Sequence, residues 1–168
     1  MRTTTKALLV FCGTLTVYPI TPAAAALKAN TPSRVCGFLA DLGLPTSGWK
    51  HEYGDVFYCI SWDRDLDAGW PLPNNLAFSA DGNRSTVTRV QLVLNVNNRT
   101  AAKSAHSELL KAAEALSVKA AGQQLPQLLK KAIQDGKKGS AKVGLSTVEV
   151  IREDWPTGKG YEIRVTIK

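Results

Sequence analysis

The sequence predicts an α+β fold: a single domain with an antiparallel sheet of about five strands and helices packed on one face, in the order α-β-β-β-α-α-β-β. Three observations carry this expectation. Residues 89–96 and 160–167 alternate apolar and polar side chains with the period of two that a half-buried strand requires. Residues 101–121 instead repeat Ala102, Ala105, Leu109, Ala113, Leu116 and Ala120 at helical spacing, and the many alanines suit close packing on a sheet. The chain also shows no internal repeat and no second composition regime.

The first 26 residues read as an export signal that is removed, leaving 27–168 as the domain. Arg2 and Lys6 supply a positive n-region, and residues 7–20 are mostly apolar. The run Ala23-Ala24-Ala25-Ala26 offers A-x-A cleavage sites. The apolar stretch is shorter than the roughly 20 residues of a spanning helix and is interrupted by Gly13, Thr14, Thr16 and Pro19, so a retained anchor is disfavoured. Phe11 before Cys12 argues against lipidation. The alanine-rich cleavage region has a bacterial character, which predicts a periplasmic or secreted protein. Removal leaves 142 of the 168 residues, enough for one ordinary core. It also leaves two cysteines, Cys36 and Cys59, which in an oxidising compartment predict one disulfide.

Within the domain, Thr31-Pro32 suits a helix start, and Val35, Phe38, Leu39 and Leu42 share one face before Gly43 ends the helix. The first strand is expected over 55–62, with Val56, Tyr58, Ile60 and Trp62 on one face, the face expected to be core. A long loop rich in Asp, Gly and Pro follows. The second strand, 75–80, leads through Asp81-Gly82-Asn83, a hairpin turn signal, into the third. After the long helix, Pro126 opens a second one carrying Leu128, Leu129, Ala132 and Ile133, closed by Gly136. The segment 137–142 reads as a mobile connector. Two last strands, over 143–152 and 160–167, flank a turn at Trp155-Pro156-Thr157-Gly158.

The precursor carries a formal charge of +7, unevenly spread. Residues 34–81 hold three basic and seven acidic side chains, and residues 82–142 hold eleven basic and three acidic. Lys130, Lys131, Lys137 and Lys138 stand among the lysines around the helices and are candidate contacts for an acidic protein or an anionic envelope polymer. The patch is dominated by lysine and nearly lacks aromatics, which argues against nucleic acid.

The second candidate lies in the loop 62–75. Asp63, Asp65 and Asp67 occupy alternate positions, as the first ligands of a calcium loop do. The pattern then departs from an EF-hand: its sixth position is Ala68 and its twelfth is Asn74. The expectation is a degenerate Ca2+ site or a solvated acidic loop, with no other cofactor. Trp70, between Gly69 and Pro71, is the tryptophan expected to be exposed and to contact a partner or a sugar.

Catalysis has thin support. His51 and His106 are the two histidines, and no G-x-S-x-G, H-E-x-x-H or C-x-x-C motif occurs. A small hydrolase would need two or more of Glu52, Asp55, Asp63 and His51 to converge in a pocket. The functional expectation is therefore a non-enzymatic exported binding domain of the inhibitor, immunity or accessory type. A calcium- or carbohydrate-binding module built on loop 62–75 is the alternative.

Overall fold

The computed structural model describes residues 26–168; the expected export signal lies almost wholly outside them. The α+β class holds. The strand count does not: an antiparallel sheet of eight strands replaces the expected five. In chain order the elements are α1 (Pro32–Val35), β1 (Lys50–Tyr53), β2 (Val56–Ile60), β3 (Arg64–Asp65), β4 (Asn75–Gly82) and β5 (Val87–Val96). They continue with α2 (Ala102–Ala120), α3 (Gln127–Gln134), β6 (Gly139–Val143), β7 (Ser146–Asp154) and β8 (Tyr161–Ile167). The sheet runs β1-β2-β4-β5-β8-β7-β6, and β3 adds a short pairing to β4.

The inner face follows from the pleat. Leu76, Phe78 and Ala80 of β4, Val90, Leu92, Leu94 and Val96 of β5, and Ile163, Val165 and Ile167 of β8 are buried at alternate positions. Against them α2 lays Ala105, Leu109, Ala112, Ala113, Leu116 and Ala120, while α3 adds Leu129 and Ile133 over β6 and β7. Each fully buried aliphatic or Phe side chain contributes about 1.5–3 kcal/mol. The outer face carries cross-strand ion pairs instead, Arg89 with Asp81, Arg164 with Glu153 and Lys168 with Glu149, and Arg164 also pairs with Glu162 of its own strand.

Several expected boundaries shift for identifiable reasons. The helix expected over 32–42 is one turn, α1, followed by turns and a 3-10 segment at Ala40–Leu42. Gly37 is a poor helix residue, and Cys36 is tied to Cys59 of β2 with their Cα atoms 6.0 Å apart. Gly43 (φ 76°) closes the segment: Leu44 N–H reaches the Leu39 carbonyl and Gly43 N–H the Ala40 carbonyl, a Schellman ending.

The segment expected to be a mobile connector is largely strand β6, paired residue by residue with β7 through a turn at Gly144-Leu145. β1 carries Lys50, His51, Glu52 and Tyr53, all exposed, so it shows no alternation to read. It is nonetheless hairpinned to β2 across Gly54-Asp55.

The facing of β2 is opposite to the expected one. Cys59 and Ser61 point into the core, leaving Ile60 46% and Trp62 88% exposed. Of the apolar residues on α3, Leu129 and Ile133 are buried and Leu128 is exposed.

Candidate functional site

The loop between Ser61 and Asn75 is the most distinctive surface of the domain. It begins at a fixed point. Ser61 N–H donates to the Phe78 carbonyl (2.8 Å), and the Phe78 N–H donates back to the Ser61 hydroxyl (2.9 Å). With Ser61 turned inward, the pleat sends Trp62 outward. Arg64 of β3 then reaches across to Glu108 of α2 at 2.9 Å.

The far half of the loop is pinned by three asparagines and an aspartate. The Leu66 N–H donates to the Asn74 carbonyl (2.8 Å), closing the loop at its base. Asn74 is fully buried, donates from its side-chain nitrogen to the Asn98 carbonyl (3.0 Å) and accepts from the Asn98 N–H (2.8 Å). Asn97 donates to the Pro73 carbonyl at 2.6 Å. Asp67 Oδ1 accepts from the N–H groups of Gly69 (2.7 Å) and Asn74 (3.4 Å). A side chain at position 69 would meet the Asp67 carboxylate at 2.7 Å and the Asn98 side chain at 3.1 Å, so any larger residue there would have to displace the brace. On this braced frame Trp70 is 92% and Leu72 59% exposed.

The candidate metal ligands are dispersed by this architecture. Asp63 is exposed, Asp65 is exposed on β3, and Asp67 turns into its own loop. Among the described residues no group of three or more His, Cys, Asp or Glu side chains could hold a metal ion. Asp63 and Asp65 also form no ion pair within 4 Å among the described residues, whereas Arg64 between them pairs with Glu108.

The lysines expected to contact a partner have acquired carboxylates of their own. Lys130 pairs with Glu114, Lys131 with Asp135 (3.2 Å), and Lys137 with the same Asp135 (3.7 Å). Lys138 lies close enough to Asp154 to help hold its carboxyl below the usual carboxylate range, an effect dominated by hydrogen bonding from Arg152. A cleft of about 450 Å³ opens beside α2, lined by Ala115, Val118, Leu125, Lys119 and Lys130. Lys119 is occupied there by the Phe38 carbonyl and by Asp41 at 3.0 Å.

The histidines sit in structural settings. His51 Nε2 lies 2.9 Å from the Gly54 carbonyl within the β1–β2 hairpin. His106 is buried, with Nδ1 3.0 Å from the Gln134 carbonyl and Nε2 2.9 Å from the Tyr161 hydroxyl. A carbonyl only accepts, so Nδ1 carries a proton toward Gln134. The neutral ring then accepts the Tyr161 proton at Nε2. Arg152 stacks 3.7 Å from the Tyr161 ring centroid and donates to the Gly136 carbonyl (3.2 Å). Burial pushes the Tyr161 phenol up, against the opposing pull of Arg152 and Arg99. The cluster ties α2, the end of α3, β7 and β8 together with its polar groups satisfied.

A smaller charged cleft, about 170 Å³, is lined by Asp41, Arg64, Glu108 and Lys111. Its two carboxylates are each engaged, Glu108 by Arg64 and Asp41 by Lys119, so they are not poised as an acid–base pair. Trp70 therefore stands exposed as its loop setting implied. Trp62, the Asn74–Asn98 pair and the Arg64–Glu108 brace were not singled out from sequence.

No curated protein and no solved structure matches this sequence. A family model described as "Family of unknown function (DUF6030)" matches residues 26–158. With most of the chain covered by that match, the protein belongs to the DUF6030 family.

Proposed function

We propose that the protein is an exported, non-enzymatic domain that binds another macromolecule through Trp62, Trp70 and Leu72. The observation that carries this reading is the pairing of exposure with bracing. Two tryptophans at 88% and 92% exposure sit on a loop whose base is fixed by a buried asparagine and a set of short hydrogen bonds. Leaving that much apolar surface in water has a cost, and a braced loop reduces the entropy lost when a partner covers it.

The chemistry of the partner follows from the neighbours. Asp63 and Asp65 are exposed carboxylates with no ion pair within 4 Å among the described residues, in the same stretch of chain as the two exposed tryptophans. That combination suits a protein surface presenting Arg or Lys, which can stack on the indole and pair with the carboxylate. An acidic or polyanionic partner on the helical face has less support, because Lys130, Lys131 and Lys137 already face carboxylates. Export accords with the Cys36–Cys59 disulfide. No helix among the described residues is long and apolar enough to cross a membrane.

The test compares capture by three forms of the oxidised domain in an envelope extract of its source. A partner retained by the wild type should also be retained by Lys130→Glu/Lys131→Glu and lost from Trp62→Ala/Trp70→Ala. A central tryptophan anchor is worth about 2 kcal/mol or more, so each single Trp variant should weaken binding roughly 30-fold. Retention by the double Trp variant, with loss from the lysine variant, would move the contact to the helical face.

A further inference from the structure

The last turn of α2 carries a surface that the tryptophan loop does not use. Val118 is 52% exposed there. With Lys119 it lines two hollows at once, so the two adjoin. The first, about 450 Å³, has Ala115 and Leu125 as its aliphatic wall. The second, about 280 Å³, is bounded by Lys28, Ala29 and Arg34.

Local folding brings these groups together. The Ser117 hydroxyl donates to the Gln123 carbonyl (2.8 Å), fixing the turn that returns Leu125 to the helix. On the other side the Lys28 N–H donates to the Ala120 carbonyl (2.8 Å). The stem of Lys28 lies against the same turn, where a Cβ on Gly122 would be 2.2 Å from its Cδ. Arg34 is supplied by α1.

The two hollows differ in charge. In the first, Lys130 is paired with Glu114, and Lys119 is engaged by the Phe38 carbonyl and Asp41. In the second, Lys28 and Arg34 are exposed and form no ion pair within 4 Å among the described residues. The trough therefore runs from an aliphatic end, whose charges are matched internally, to a cationic end.

We propose that this trough binds a single-chain amphiphile with an acid head, a fatty-acid carboxylate. Its alkyl chain lies over Ala115, Val118 and Leu125, and its carboxylate meets Lys28 and Arg34. No aromatic ring lines the aliphatic end, so a planar ligand finds nothing to stack on. The trough runs along α2, whose backbone groups are bonded within the helix and, at Ala120, to Lys28. An extended peptide laid there would bury amides without partners, whereas an alkyl chain has no polar groups to satisfy.

The test titrates the purified oxidised protein, methyl-labelled at Ala, Val and Leu, with dodecanoate below its micelle concentration. NMR should show saturable shifts at Ala115, Val118 and Leu125 with a Kd below about 1 mM, and none at the Trp62 and Trp70 indoles. Dodecyltrimethylammonium, with the same chain and the opposite head, should bind at least about fivefold more weakly. Lys28→Gln/Arg34→Gln should weaken dodecanoate by about the same factor and remove the preference for the acid head. Val118→Asp should abolish binding, and all three positions are exposed, so the variants should keep the wild-type melting point. Shifts confined to the tryptophan loop, or no saturation below the micelle concentration, would overturn the site. Equal affinity for the two heads would overturn the acid-head assignment. An acidic amphipathic helical peptide that shifts the same methyls when dodecanoate does not would replace the lipid with a protein partner and overturn the ligand class.

Discussion

At the scale of single residues, the structure spends its polar groups on bracing. Asn74 has no exposed surface and exchanges two hydrogen bonds with the backbone of Asn98. Asn74→Ala removes both and leaves the Asn98 N–H and carbonyl short of partners. The expected cost is about 2–3 kcal/mol in denaturant unfolding, with faster amide exchange across 66–74. Lys119 and Asp41 give a pH signature. The Lys119 hydrogen bond, with its charge, holds the Asp41 carboxyl below the usual carboxylate range, and Arg152 does the same for Asp154. A carboxyl with a folded-state pKa below its unfolded value adds stability that is complete above the unfolded value, about 4, and lost as pH falls through the folded one. Stability should therefore decline on acidification below about pH 4. Lys119→Met should return the Asp41 carboxyl resonance to an ordinary titration, read by NMR. A titration unchanged by that substitution would dissociate Asp41 from Lys119.

The scale of elements shows what could be read in advance and what could not. β5, β8 and α2 are clear in the sequence because each buries one face against a neighbour, and their periodicity records it. β1 is invisible because all four of its side chains are exposed. β6 combines Gly139, Ser140 and Lys142 at a sheet edge, where pairing to β7 rather than burial holds it. The misfaced β2 is the instructive case for the site. A disulfide from Cys59 to Cys36, buried at the end of α1 on the core side, requires Cys59 to point inward. The period of two then turns Ser61 inward with it and Trp62 out. The same bridge joins the short α1 segment to the sheet. Cys36→Ala/Cys59→Ala should cost about 3–4 kcal/mol by the loop-entropy relation, read as a lower denaturation midpoint. Gly82 in the β4–β5 turn is tighter still, since a Cβ there would lie 2.1 Å from the Thr86 carbonyl oxygen. Gly82→Ala is expected to destabilise by more than 2 kcal/mol, and a variant as stable as the wild type would refute this reading of the turn.

For the whole molecule, the contrast between covered and uncovered surface is what bears on function. One face of the sheet is sealed by helices, and the other carries cross-strand ion pairs between its own residues. On the helical side Lys130 pairs with Glu114 and Lys131 and Lys137 share Asp135, while Lys103, Lys111, Lys138 and Lys142 have no ion pair within 4 Å among the described residues. The tryptophan loop combines large exposed apolar side chains with carboxylates that have no ion-pair partner within 4 Å among the described residues. Composition could not reveal this, because it counted the basic residues of 82–142 without showing which acids they would meet. Trp70 was legible as a candidate, but Trp62 was expected in the core, and its exposure depends on the inward turn of Ser61, whose partner Phe78 is distant in sequence. The measurement that tests the binding surface most directly is hydroxyl-radical footprinting of the oxidised domain, alone and in an envelope extract of its source. The expected result is protection of Trp62, Trp70 and Leu72, with Tyr53 and Leu145, exposed elsewhere, remaining as reactive as before. Undiminished reactivity at both tryptophans in the extract would contradict the proposal that this loop is the contact surface.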